Sequence, residues 1–194
     1  MPIQFISDLH FGHKNVLAYD NREFPSIEAH DEELIRRWNE AVCPGDDVWI
    51  LGDVSWYGPM KTIEIFERLN GTKFLCAGNH DKKLLKSADF RSVFAEIVDY
   101  KELQITSGFG IVLCHYPIPC FNNHFRGWVH LYGHVHNSFE WNMTKQFKYD
   151  MEALYEKPCR MYNVGCMMPY MGFAPKTLEE ILELNKGVLL HDIS

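Results

Sequence analysis

The sequence predicts an α/β fold in which helices cover a sheet, and three observations carry that reading. Five short apolar runs, Ile3–Ile6, Val48–Leu51, Phe74–Ala77, Ile111–Cys114 and Val129–Tyr132, have strand length. Amphipathic helical patterns separate the first three. Each run is bounded within two residues by Gly, Asp, Asn or His. Continuous apolarity over about four residues suits strands covered on both faces, and alternation of strand and helix puts helices over the sheet. The 194 residues match one domain, 1–194, at roughly 150 residues per domain, long enough to bury a core without staples.

The helices follow from spacing and caps. Between about Ile27 and Val42, Leu34, Ile35, Trp38, Ala41 and Val42 share one face. A second helix, from about Met60 to Leu69, stops at Asn70-Gly71, a usual C-terminal pair. Thr177-x-x-Glu180 is a capping box that opens a third, ending near Lys186-Gly187. The stretches Glu96–Ile105 and Ile111–Cys114 flank Ser107-Gly108-Phe109-Gly110 and predict a hairpin or adjacent strands. The segment Asn137–Pro158 is polar and aromatic without a clear period. It is expected as a surface insertion at 137–158, a kind of loop often used for function.

Bulk composition excludes several classes. Nineteen Lys plus Arg against 26 Asp plus Glu give a net charge of −7, whereas sequence-independent grip on nucleic acid needs clustered cations. Nucleic acid is therefore disfavoured as a partner. No apolar run approaches the ~18–20 residues that cross a bilayer, so no membrane partner is expected. The first residues carry no basic stretch followed by a long apolar run. The six cysteines form no C-x-x-C pair. A reducing cytoplasm with free thiols is the expected setting.

One count stands out: ten histidines, the commonest metal-ligating side chain. They are placed rather than scattered. The five apolar runs lead in order into Ser7-Asp8-Leu9-His10, Gly52-Asp53, Gly78-Asn79-His80-Asp81, His115 and Gly133-His134-Val135-His136. Ligands of open α/β sheets sit beyond the carboxyl ends of the strands. In extended backbone, residues i and i+2 point to one side, so Asp8 with His10, and His134 with His136, can each grip an ion. The donors are Asp8, Asp53, Asn79, His10, His115, His134 and His136. Mixed nitrogen and oxygen donors suit Mn, Fe, Zn, Co or Ni rather than Mg or Ca. Seven are too many for one tetrahedral ion and fit two divalent ions if Asp53 bridges. Two such ions make the pocket locally cationic in an acidic protein, which suits a small phosphorylated substrate.

On these residues the sequence resembles the calcineurin-like metallophosphoesterase family, over about Met1 to His136. The later Asn163-Val164-Gly165, the opening Ser7 to Asn15 and the Trp38-Asn39 helix resemble its small bacterial and phage-type members. The resemblance implies a four-layer α/β/β/α sandwich, the metallo-dependent phosphatase fold, with two mixed sheets flanked by helices. It implies one metal on Asp8, His10, Asp53 and His136, a second on Asp53, Asn79, His115 and His134, and His80 as the catalytic histidine. Protein serine/threonine phosphatases have a further Asp and Arg near the Gly-Asp. Here Gly52-Asp53-Val54-Ser55-Trp56-Tyr57-Gly58 has neither, which argues against a protein phosphatase and leaves the carboxylate partner of His80 open, with Asp81 adjacent.

The expected reaction is hydrolysis of a phosphomonoester or phosphodiester by a hydroxide shared between two ions, with His80 as general acid. Arg22, Arg126 and Asn15 are candidates for the remaining phosphate oxygens, and Lys14 follows the same motif. His13 and His124 are candidates for a supporting role, His130 for packing, and His30 and His191 carry no assigned role. Two alternatives are a nuclease of the same superfamily, which predicts a basic groove with stacking aromatics, and a non-enzymatic metal-binding scaffold, which predicts loss of His80.

Overall fold

Alternation of side chains along the strands decides the layering. The computed structural model describes residues 2–157 and 159–186; His191 and Gly187 lie outside them. The chain begins with β1 (Ile3–Ile6), α1 (Val16–Tyr19), α2 (Ile27–Ala41), β2 (Asp47–Ile50), α3 (Pro59–Glu67) and β3 (Thr72–Cys76). It continues through α4 (Ala88–Arg91), β4 (Glu96–Val98), β5 (Tyr100–Gln104), β6 (Gly110–Cys114) and β7 (Val129–Tyr132). It closes with α5 (Phe139–Tyr155), β8 (Met161–Asn163), β9 (Lys176–Thr177) and α6 (Leu178–Leu184).

Two mixed sheets result. The first runs β4-β3-β2-β1-β9, with β9 antiparallel to β1 and the rest parallel. The second runs β5-β6-β7-β8, with β5 antiparallel to β6. Phe5, Trp49, Leu51 and Cys76 of the first sheet and its strand ends pack against Ile111, Leu113, Val129 and Leu131 of the second. The intervening residues Ile6, Val48, Ile50 and Leu75 turn outward onto Leu34, Trp38, Ile65 and Phe66 of α2 and α3. On the far side Val112, Tyr132 and Met161 meet Met151 and Trp141 of α5. The layers are therefore helix, sheet, sheet, helix, the α/β/β/α sandwich expected. Ser7 and Gly165 bridge the two sheets at the end of β1, so the site lies where the sheets touch.

Two segments differ from expectation. Glu96–Ile105 is not one strand: it breaks at Asp99, with β4 in the first sheet and β5 in the second. Asp is a poor strand former, and here it marks the crossing between layers. The segment 137–158 is not irregular; most of it is α5, capped by Ser138, whose side chain accepts from the Glu140 backbone N–H. Its inner stripe is Trp141, Thr144, Phe147 and Met151, with only Thr144 and Met151 buried. Exposed Phe139, Met143, Leu154 and Tyr155 put apolar residues on the outer face too, which hides the helical period in the sequence.

His130 packs inside β7, fully buried. Its Nε2 accepts from the Ile118 N–H (3.0 Å), so Nδ1 carries the proton and donates to the Val112 carbonyl (3.0 Å). Burial pushes its pKa down to about 4, against the opposing pull of the Val112 and Tyr116 carbonyls. The unfolded chain takes up this proton near pH 6.5 and the folded one only near 4, so the stabilising contribution is complete above 6.5 and is lost as pH falls towards 4. The shift corresponds to about 3 kcal/mol. In urea unfolding, wild type should lose more stability from pH 7 to 4.5 than His130→Gln does; equal losses would refute the assignment.

Candidate metal centre

The residues that follow the strands adopt backbone that L-amino acids disfavour. Among the described residues nine non-glycine positions have positive φ, and five of them are Asp8 (56°), His10 (54°), Asp53 (56°), His134 (69°) and His136 (48°). Strain of this kind persists only where surroundings over-determine it, and it gathers at functional sites. Here the surroundings are specific. Buried Asp81 accepts from the backbone N–H of Gly78 (2.8 Å), Asp53 (2.9 Å) and Val54 (3.0 Å). It thereby ties the β2 and β3 ends together. The Asp8 carboxylate accepts from the His134 N–H at 3.2 Å, tying the two sheets. Asn163 donates to the His136 carbonyl (2.8 Å). Two glycines allow this closeness: a Cβ on Gly133 would lie 1.9 Å from Ser7 Oγ, and one on Gly78 2.3 Å from Asp53 Oδ1.

The side chains then converge in two groups. In one, His10 Nε2 lies 3.1 Å from His136 Nε2, and Asp8 Oδ1 lies 3.9 and 3.5 Å from them. In the other, Asn79 Oδ1 is 3.0 Å from both His115 Nε2 and His134 Nδ1, and Asp53 Oδ2 is 3.6 Å from His115 Nε2. Bonds of about 2.0–2.1 Å to one ion set donors roughly 3.0–3.4 Å apart at right or tetrahedral angles; the 3.0 and 3.1 Å spacings fall in that range, and the carboxylate spacings of 3.5–3.9 Å lie just beyond it. Proton placement fits as well. His115 Nδ1 faces the Leu51 carbonyl at 2.7 Å and must donate to it, which leaves a lone pair on Nε2. His136 Nδ1 faces Asp20 Oδ1 at 2.7 Å, the carboxylate–histidine arrangement that orients a metal-ligating imidazole.

Electrostatics point the same way. Asp8 and Asp53 are 0% and 2% exposed, and neither carboxylate is bridged by a Lys or Arg side chain among the described residues. Burial pushes the Asp53 carboxyl up to about 7; His115 opposes this and the Asp8 charge adds to it. Burial, then Arg22 and the neighbouring His136, push His10 well down, so its ring is neutral and one of its nitrogens holds a lone pair. For His136 burial also works against charge, but the Asp20 hydrogen bond and the Asp8 and Asp20 charges outweigh it. Buried carboxylates and lone-pair nitrogens without a fixed cation form a set that divalent ions would complete.

The other expected residues part company. Arg22 does not reach the cavity. It is buried, its guanidinium bonded to the carbonyls of Asp8 (2.9 Å) and Leu9 (3.2 Å), to Asp20 (2.7 Å) and to His30 Nε2 (3.0 Å). Arg126 is exposed just before β7, whereas the site follows the opposite ends of the strands. Asn15 is exposed and serves α1 through its backbone carbonyl. His124 lies tilted against Phe125, next to Arg126. His80 points its half-exposed ring towards the cavity, Nε2 4.0 Å from Asp53 Oδ2, while its N–H donates to Asp53 Oδ1 (3.0 Å). Asp81, spent on backbone donors, is not its partner. His13 lines the cavity, its ring parallel to Trp56 at 3.9 Å.

Asp20, Asp31 and Trp56 belong to the site and were not singled out from the sequence. Asp31 accepts from Gly12 N–H, Tyr57 hydroxyl and His30 Nδ1 (3.0, 3.0 and 2.8 Å), and His30 leads through Arg22 and Asp20 to His136. The only signal was Asp20-Asn21-Arg22 itself, a charged pair in a turn, which resembles ordinary surface sequence.

The family model for calcineurin-like phosphoesterases matches residues 1–161. The chain belongs to the calcineurin-like phosphoesterase family. An uncharacterized protein of the archaeon Methanocaldococcus jannaschii is 35% identical over 136 residues, 69% of each chain. The Gene 66 protein of Mycobacterium phage L5 is 39% identical over 80 residues, 40% of this chain and 38% of its own length. Among solved structures, a protein of unknown function from Aquifex aeolicus superposes with a TM-score of 0.69 at 25% identity, covering 94% of this chain and 98% of its own. The family binds divalent metals and acts on phosphate esters. No helix among the described residues is long and apolar enough to cross a membrane.

The packing around Gly133 yields a stability test. Gly133→Ala should cost about 1–3 kcal/mol by overpacking, whereas Gly108→Ala, with nothing within 4 Å of its Cβ, should stay within about 0.5 kcal/mol. Equal urea midpoints for the two variants would contradict the close approach.

Proposed function

We propose that the protein hydrolyses phosphate esters at a centre of two divalent ions, with His80 as proton donor. The observation that supports it most is the pair of donor groups, each with spacings of 3.0–3.9 Å, joined through Asp8 and Asp53. One ion would be held by Asp8, His10, Asp53 and His136, the other by Asp53, Asn79, His115 and His134. Mn, Fe, Zn or Ni suits this mixture. When bound, such ions supply Lewis-acid charge and a water acidic enough to attack at neutral pH.

The chain's own residues do the rest. Asp20 holds the His136 ring so that Nε2 faces inward, and Leu51 does the same for His115. The strained turns fix the donors before substrate arrives, so little reorganisation is needed. His80 is anchored by its backbone to Asp53 and by its ring beside Trp56 (4.4 Å). Its free nitrogen is placed to give a proton to the leaving oxygen. Presence of this histidine disfavours the scaffold reading.

His80→Ala should keep fold and bound metal and lose about 10²–10⁴-fold in kcat on p-nitrophenyl esters; full activity would remove His80 from the mechanism. Asp53→Asn should instead lower metal content measured by mass spectrometry of the dialysed protein. Asp20→Asn should weaken metal affinity about 10–100-fold in a chelator competition, and an unchanged affinity would show that the His136 contact is dispensable.

A further inference from the structure

Three cavities follow one another across the proposed centre. The central one, about 540 Å³, has His10, His80, His134 and His136 in its wall. Beyond His80 and Trp56 lies a second of about 240 Å³, with Lys83 at its side. In the other direction His134 and Val135 also wall a third, about 460 Å³, which His80 does not touch. Nothing in the proposed hydrolysis employs that third cavity.

Its chemistry is distinctive. Tyr116, Pro117, Met143 and Phe147 make the wall apolar, and Glu140 is its one charged side chain. Among the described residues no Lys or Arg lines the central cavity or this one. The arginine that precedes α2, Arg22, is turned away and spent on carbonyls. A phosphomonoester dianion would thus find no basic clamp beyond the ions. An additional anionic group beside His134 would meet Glu140. An uncharged apolar or aryl group would instead remove apolar wall from water.

Position separates the two ester groups of a substrate. The leaving group belongs beside the proton donor, on the His80 and Trp56 side. A monoester has no second organic group, so the third cavity would stay empty of it. A diester carries one organic group on each side of phosphorus, and His134 is shared by both cavities. We propose that the substrate is a phosphodiester whose retained ester group, uncharged and apolar or aromatic, lies in the cavity between Tyr116 and Met143. Water oxygen bonds to phosphorus, the bond from phosphorus to the leaving oxygen breaks, His80 supplies the leaving oxygen's proton, and the proton released by the water restores His80. The product is the alcohol and the monoester of the retained group. This rests on the phosphoesterase reading of the centre.

The test uses the full-length protein loaded with Mn²⁺ and three esters with one leaving group: p-nitrophenyl phosphate, methyl p-nitrophenyl phosphate and phenyl p-nitrophenyl phosphate. The phenyl diester should exceed the methyl diester in kcat/KM by about 10-fold or more, as burial of one aryl face implies, and both should exceed the monoester. Met143→Asp, at a site 60% exposed, should bring the phenyl-to-methyl ratio close to one. Leu154→Asp, on the same helix outside the cavity, should keep it. A wild-type ratio near one, a preference for the monoester, or an unchanged ratio in Met143→Asp overturns the inference and leaves hydrolysis standing. Calorimetric titration with diphenyl and dimethyl phosphate reads the cavity without turnover. Tighter binding of diphenyl phosphate, lost in Met143→Asp, supports the inference; equal binding overturns it. No turnover of any ester would overturn the hydrolytic reading and with it the diester substrate, and the apolar subsite would then stand or fall by the calorimetric result.

Discussion

Two buried carboxylates and four imidazoles face one another beside a cavity that, among the described residues, no lysine or arginine side chain lines, and the rest of the molecule is arranged around that constraint. Asp8 and Asp53 lie at the ends of adjacent parallel strands. Held apart from water, their charge has to be met by something outside the chain's own cations. The proposed ions would meet it. The mixture of nitrogen and oxygen donors follows from the same need, because neutral imidazoles add ligating atoms without adding negative charge.

Holding such a set together costs backbone strain, and the fold offsets it locally. Five proposed donor residues sit at positive φ, and several are braced by groups with no direct role at the centre. Asp81 is the clearest case. By sequence it is the neighbour of His80, yet its oxygens are occupied by three backbone N–H groups from two strand ends. Arg22 is another: instead of reaching a substrate it pins the Asp8 and Leu9 carbonyls and steadies Asp20. Residues that look chemical in the sequence thus turn out to be the scaffolding of chemistry, because a buried charged side chain must satisfy its hydrogen bonds before it can do anything else.

Much of the fold was legible from the chain because strand burial on both faces leaves a continuous apolar run, and a strand end leaves a glycine or polar break. The alternation of strands with covering helices, the amphipathic α2 and the capping box of α6 follow from such local signals, whereas the four-layer order of two sheets rests on the family resemblance. The two misread segments lack them. Asp99 is one residue between strands that join different sheets, and no local period says which sheet each will choose. Helix α5 carries apolar side chains on its outer face, so its inner stripe does not stand out.

The sequence by itself determined the donor types, their order and their position after strands, since these depend on residue identity and a period of two or four residues. It also determined that a histidine follows Asn79. Only the tertiary structure decided that Asp20 rather than Asp81 supports an imidazole, that Arg22 turns inward, and that an apolar cavity adjoins the centre at His134. Those facts depend on contacts between separate elements, from 14 positions apart for Arg22 with Asp8 to 116 for His136 with Asp20. Local pattern has no access to them, because the angle at which two sheets close is set by the packing of the whole core.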